Sequence, residues 1–202
     1  NYAVKCIEKY EKVCLADLDI VNPYFRTREK KAMLEKMNIK VLDSSIKNIA
    51  LDLPALPAEI SGIIQNEELK SILDVGGDPV GATVLARFAN QIKKVDYDMF
   101  FVINANRPET QTAEKTIEYL RNIEAKSKLK VTGLINNTHL LKSTTISDVE
   151  KGHELTKEVA KLTGLSIKYE SVIESVAEKI SNLDIKENLF PLKLFMRAEW
   201  MS

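Results

Sequence analysis

The sequence has no surplus of either charge: 29 Lys and Arg balance 29 Asp and Glu, for a formal net charge of zero. That removes the electrostatic footprint by which nucleic acid or an anionic membrane is recruited, so neither is expected as a partner. Cysteine is scarce as well. Cys6 and Cys14 have neither zinc nor redox spacing, and two thiols in a chain of 202 residues make no disulfide framework. A reducing, cytoplasmic setting is the expectation. No apolar run is long enough to span a bilayer, and the opening "NYAVKCIEKYEK" is amphipathic rather than signal-like. Repeats and low-complexity linkers are also missing. One domain covering 1–202 is therefore the reading, with small molecules or proteins as its partners.

What is present is alternation. Residues 2–10 read as the end of a helix, and 12–18 as an apolar strand. The run "TREKKAMLEKM" (27–37) is rich in helix formers, with Asn38 placed to stop it. A second strand is expected at 39–45, a loop at the prolines 54 and 57, and a short helix at 58–67. A third strand starts at Ser71 in "SILDVGG", followed by a helix over 80–94. Strands at 98–105 and 130–137 alternate with helices at 110–126 and 148–163. A short strand at 166–170, a helix at 172–182 and an extended tail, "PLKLFM", complete the order. Runs such as "MFFVINA" and "KVTGLIN" are continuously apolar, as strands buried on both sides must be. The class implied is α/β, a mostly parallel sheet with helices on both faces.

In such sheets ligands bind beyond the carboxyl ends of the strands, so the residues there carry the functional question. The tips hold Asp17 and Asp19, then Asp43, then "DVGGDP" at 74–79, "NANRPET" at 104–110 and "NNTH" at 136–139. Asp17 and Asp19 would project on one side of a strand and repel each other. A hydrated magnesium ion needs only one or two carboxylates and leaves room for phosphate oxygens and water. Asp74, at the end of an apolar strand, suits that role, and Gly76 and Gly77 allow a backbone N–H to face a terminal phosphate. Each tip also has a plainer reading. Strand-end Asp caps helices and forms turns, Gly-Gly makes a simple turn, and Asn136 and Asn137 close turns equally well. The segment "GGDPVGAT" has the glycine spacing of a phosphate loop, but Ala82 stands where the lysine belongs, and Asp78 would put a carboxylate in the cradle. It is rejected as a phosphate loop.

Taken in order, "VCLADLDIVNP", "SILDVGGDPVGA" and "VTGLINN" resemble the MinD/ParA/CobQ/CobB superfamily of P-loop ATPases, of which nitrogenase iron protein is a distant relative. The likeness extends over essentially the whole chain and is strongest to stand-alone bacterial ATP-binding proteins. It implies a P-loop NTPase-like three-layer sandwich that binds ATP with magnesium and hydrolyses it as a switch. By that resemblance Asp19 orients the attacking water, and Asp17 supports it near the magnesium shell. Asp74 is the Walker B aspartate, Gly77 lies in the second switch, and Asn137 reads the adenine edge, with Asn136 the second candidate. Arg107 receives no role beyond capping or ion pairing. Members commonly pair face to face around nucleotide and switch a protein partner, so a homodimer is implied.

The family opens with a strand and a lysine-bearing phosphate loop, whereas this chain starts in what resembles the following helix. The expectation is a domain incomplete at its N-terminus, with that strand and loop upstream of Asn1. A degenerate fold, or a loop supplied in trans, would account for the same start. The rival function is a non-catalytic interaction module that keeps the fold without the phosphate loop. A cobyrinate-type ligase or amidotransferase is weaker, since no glutaminase Cys–His pattern is present. His139 and His153 read as surface or packing residues, and Cys14 as a small core residue.

Overall fold

The computed structural model of the chain describes residues 1–19, 27–43 and 58–195. The Asn22-Pro23 turn and the prolines at 54 and 57 fall outside the described residues. The chain is α/β, and it divides into two compact units, one over residues 1–97 and the other over residues 98–194. Each is built on its own sheet, and every strand pair in both is parallel.

In the first unit, β1 (Val13–Asp17) lies between β2 (Ile39–Asp43) and β3 (Lys70–Asp74). Period-two alternation sorts its side chains. Val13 and Leu15 face one way, where α1 (Tyr2–Cys6) and α2 (Lys31–Lys36) bring Ala3, Cys6 and Leu34 into a cluster with Ile39 and Val41. Ile72 of β3 joins that cluster, so Asp17 and Asp74 stand on the face that α1 and α2 cover. From the opposite face Ser71 donates its hydroxyl to the Ile63 carbonyl of α3 (Glu59–Gln65) at 2.6 Å. Cys14 is fully buried, and both cysteines are free thiols. Asn38, at φ 63°, turns the chain from α2 into β2; asparagine tolerates that left-handed conformation better than most residues.

The helix expected over 80–94 is instead broken into α4 (Pro79–Ala82), a 3-10 stretch at Thr83–Arg87 and α5 (Ala89–Ile92). Thr83 donates its hydroxyl back to the Pro79 carbonyl at 3.0 Å, a contact that bends helices and competes with the regular ladder.

The second unit orders its strands β4 (Phe100–Ile103), β5 (Gly133–Asn136), β6 (Ile167–Ile173) and β7 (Leu189–Leu192). Its two long helices are α6 (Ala113–Ser127), capped by Thr112, and α7 (Ile146–Thr163), opened by a capping box between Thr145 and Asp148 and closed by Gly164 at φ 74°. α7 packs Val149 into a cluster with Val172 of β6, Val176 and Ala177 of α8 (Glu174–Ala177) and Ile185 of α9 (Leu183–Glu187). Where one helix was expected over 172–182, β6 runs on to Ile173: Val172 and Ile173 are β-branched and favour the pleated strand. Among the described residues no helix is long and apolar enough to cross a membrane.

Candidate functional site

Parallel pairing in register brings the three strand ends of the first unit level. Asp17 lies opposite Asp43 on one side and opposite Asp74 on the other. Neighbouring strands are about 4.8 Å apart, so Asp17 and Asp74, which share a face, oppose like charges at close range. Asp17 is 5% exposed and survives there by accepting two backbone hydrogen bonds. One comes from Asp19 N at 3.2 Å, the other from Thr27 N at 3.2 Å. Thr27 also donates its hydroxyl to Asp74 Oδ2 at 3.4 Å, so a single buried threonine ties both carboxylates. The reading of the sequence missed Thr27. Its one available signal was its place as the first residue of the helix-forming run after the Asn-Pro turn.

Asp74 keeps a face open to solvent, yet displacement of water by the surrounding chain pushes its pKa from 3.8 up to about 6. The Asp17 charge adds to the rise, the Thr27 hydroxyl opposes it, and Asp19 adds a smaller push.

Beyond β3 the chain folds tightly. Asp78 caps α4, accepting from Gly81 N at 2.7 Å, and Pro79 follows at the first helical position. Asp78 is thus used for capping. Gly76 sits against Asp19: a Cβ on Gly76 would stand 3.1 Å from Asp19 Oδ1. Gly77 is exposed, with open space where its side chain would be. Asp17, Asp19, Asp74, Gly76 and Gly77 therefore form one group in the first unit.

Asn136 and Asn137 belong to the second unit, at the end of β5. Asn136 is 1% exposed and fully engaged: Nδ2 donates to Glu170 Oε2 at 2.7 Å and to the Val149 carbonyl at 3.2 Å, while Oδ1 accepts from Thr138 N at 3.1 Å. No hydrogen-bonding capacity is left on its amide nitrogen for a ligand. Asn137 is half-buried and donates its backbone N–H to Ile103 O at 2.8 Å. Arg107 is exposed at the start of a 3-10 turn, Pro108–Thr110, its carbonyl accepting from Thr110 N. His139 accepts from Leu141 N through Nδ1, whereas His153 is buried and pairs with Glu170 at 2.7 Å.

A hollow of about 320 Å³ lies at the amino ends of β1 and β2, lined by Lys12, Val13, Ile39 and Lys40 among others. It is at the far end of the sheet from the aspartates, and its Lys12 pairs with Glu68. The candidate site is the aspartate end. Among the described residues no group of three or more His, Cys, Asp or Glu side chains is arranged to hold a metal alone. The group does fit a cation that keeps water and phosphate oxygens in most of its coordination sphere, because Asp74 and Asp17 bring two carboxylates level at one tip. The chain matches no family model, and no curated protein matches it.

Proposed function

We propose that the protein is a magnesium-dependent ATP-binding and ATP-hydrolysing switch of the MinD/ParA type, working in the cytoplasm as a nucleotide-dependent homodimer upon a protein partner. The observation that supports this reading is the in-register pair Asp17 and Asp74 at the tip of a parallel sheet, with Asp19 seated on the glycine turn that follows β3. Magnesium would neutralise charge developing on the transferred phosphoryl group and be held by Asp74 through water, with Asp17 nearby.

The remaining work falls to the chain itself. Asp19 orients the attacking water, and fixing a nucleophile in line is worth several kcal/mol of barrier. Gly77, without a side chain, leaves its backbone N–H open to a terminal phosphate. Thr27 holds Asp17 and Asp74 at fixed spacing, which keeps their charges directed at one point.

The test is ATP turnover by the protein expressed from its natural start codon, with and without magnesium. Asp19→Ala is expected to lower turnover by about a hundredfold while leaving ATP binding in place. Equal turnover in both proteins would remove Asp19 from the mechanism. Absence of ATP binding in the unaltered protein would leave the interaction-module reading instead.

A further inference from the structure

The glycine-spaced segment that is not a phosphate loop still demands an explanation, because two of its glycines touch. A Cβ on Gly81 would fall 2.8 Å from Gly76 Cα and 2.9 Å from Gly76 O. Both of these are backbone atoms that cannot turn aside as a flexible side chain would. A Cβ on Gly76 would in turn meet Asp19 Oδ1 at 3.1 Å and Gly81 Cα at 3.2 Å, so Asp19 and Gly81 both close on the side-chain face of Gly76. Gly81 is itself fixed, because its N–H donates to Asp78 Oδ1 at 2.7 Å. Gly76 and Gly81 are both buried. Asp78, Gly81, Gly76 and Asp19 therefore form a continuous stack from the helix cap to the carboxylate.

We infer that Gly81 is a positioning residue for Asp19, acting through Gly76. The inference deepens the function proposed above and rests on it. With no side chain at either glycine, the turn after β3 closes onto Asp19 and limits where its carboxylate can go. A displacement of the Gly76-Gly77 turn is passed to α4, and a displacement of α4 is passed back to Asp19. The spacing that imitates a phosphate loop is thus a packing requirement of the switch. Alanine is the better helix residue in general, so a defect from Gly81→Ala would reflect the close approach and not propensity.

The experiment uses the isotope-labelled protein expressed from its natural start codon. It follows the amide resonances of Asp19 and Gly76 without ligand, then ATP turnover with magnesium. Gly81→Ala is expected to shift both resonances and lower turnover by about tenfold with ATP binding left in place, the effect of modest overpacking passed to Asp19. Gly62→Ala, where nothing lies within 4 Å of the new Cβ, is expected to change neither. Asp78→Ala frees the Gly81 N–H and should move the same resonances less, while Asp78→Asn, which keeps an acceptor, restores them. A folded Gly81→Ala protein whose Asp19 and Gly76 resonances coincide with those of Gly62→Ala overturns the inference. If Gly81→Ala does not fold, identical Asp19 resonances in Asp78→Ala and Asp78→Asn overturn it instead. Failure of the unaltered protein to bind ATP defeats the proposed function, while the ligand-free resonances still decide the stack.

Discussion

At the tip of the first sheet, Asp17 and Asp74 stand on neighbouring strands with like charge, and one threonine steadies both. At the tip of the second sheet, Asn136 and Glu170 also stand in register on neighbouring strands, but as donor and acceptor 2.7 Å apart. His153 faces the other Glu170 oxygen through Nδ1 at 2.7 Å, while its Nε2 is buried with no hydrogen-bond partner among the described residues. Burial raises the Glu170 pKa, and the contacts with His153 and Asn136 oppose that rise. Glu170 is completely buried and pairs with Asn136 and His153, whereas Asp74 is exposed and stands opposite the like charge of Asp17. Polar groups paired within the fold serve stability. Like charges held together at a strand tip lower it and mark a candidate site.

Breaking the satisfied tip should have the largest effect. Glu170→Ala leaves Asn136 Nδ2 and His153 Nδ1 without their acceptor in a dry interior. Removing one partner of such a buried pair costs about 3–5 kcal/mol. Urea unfolding followed by circular dichroism should show a matching fall in midpoint, and a fall below about 1 kcal/mol would mean that water replaces the lost carboxylate. Gly152→Ala attacks the same tip by overpacking, because its Cβ would meet Thr138 Oγ1 and Asn136 Oδ1. A cost of about 1–3 kcal/mol is expected in the same assay.

The α/β class was legible because alternation and continuously apolar strands are local signals. So was the role of Asn38, whose left-handed backbone follows from its residue type. The break in the helix at 80–94 was not, since a Thr83 hydroxyl bonded to Pro79 O looks in sequence like any threonine in a helix. At the first tip the aspartates could be found from their position after apolar runs. Thr27 could not, because its link to Asp74 spans 47 residues and exists only once the strands are paired. The Glu170–His153–Asn136 set was invisible for the same reason: Asn136 and Glu170 are 34 residues apart and meet through sheet register. Sequence reading held Asn136 as the less likely alternative to Asn137 for the adenine reader, while register commits its amide to the core.

The smallest expected effect bears on the charge at the first tip. Asp74 has its pKa raised from 3.8 to about 6, so the folded protein holds that proton more tightly than the unfolded chain. The associated stability is fully present below the ordinary aspartate range and is lost as pH rises through about 6. Relative to Asp74→Asn, which cannot ionise, the unaltered protein should therefore lose stability as pH climbs from about 4 to about 7. The loss is modest because the open face of Asp74 lets water screen the repulsion. Asp17→Asn removes the nearest like charge and should bring the Asp74 pKa down part of the way, with burial holding the remainder. Magnesium should offset the loss at neutral pH in the unaltered protein and do less in Asp74→Asn, by mass action on the folded state. Denaturation profiles across pH for the two proteins, with carboxyl resonances of Asp74 followed by NMR, check each step. Parallel profiles would show that Asp74 titrates alike in the folded and unfolded chains, and the reason for placing a cation there would be gone.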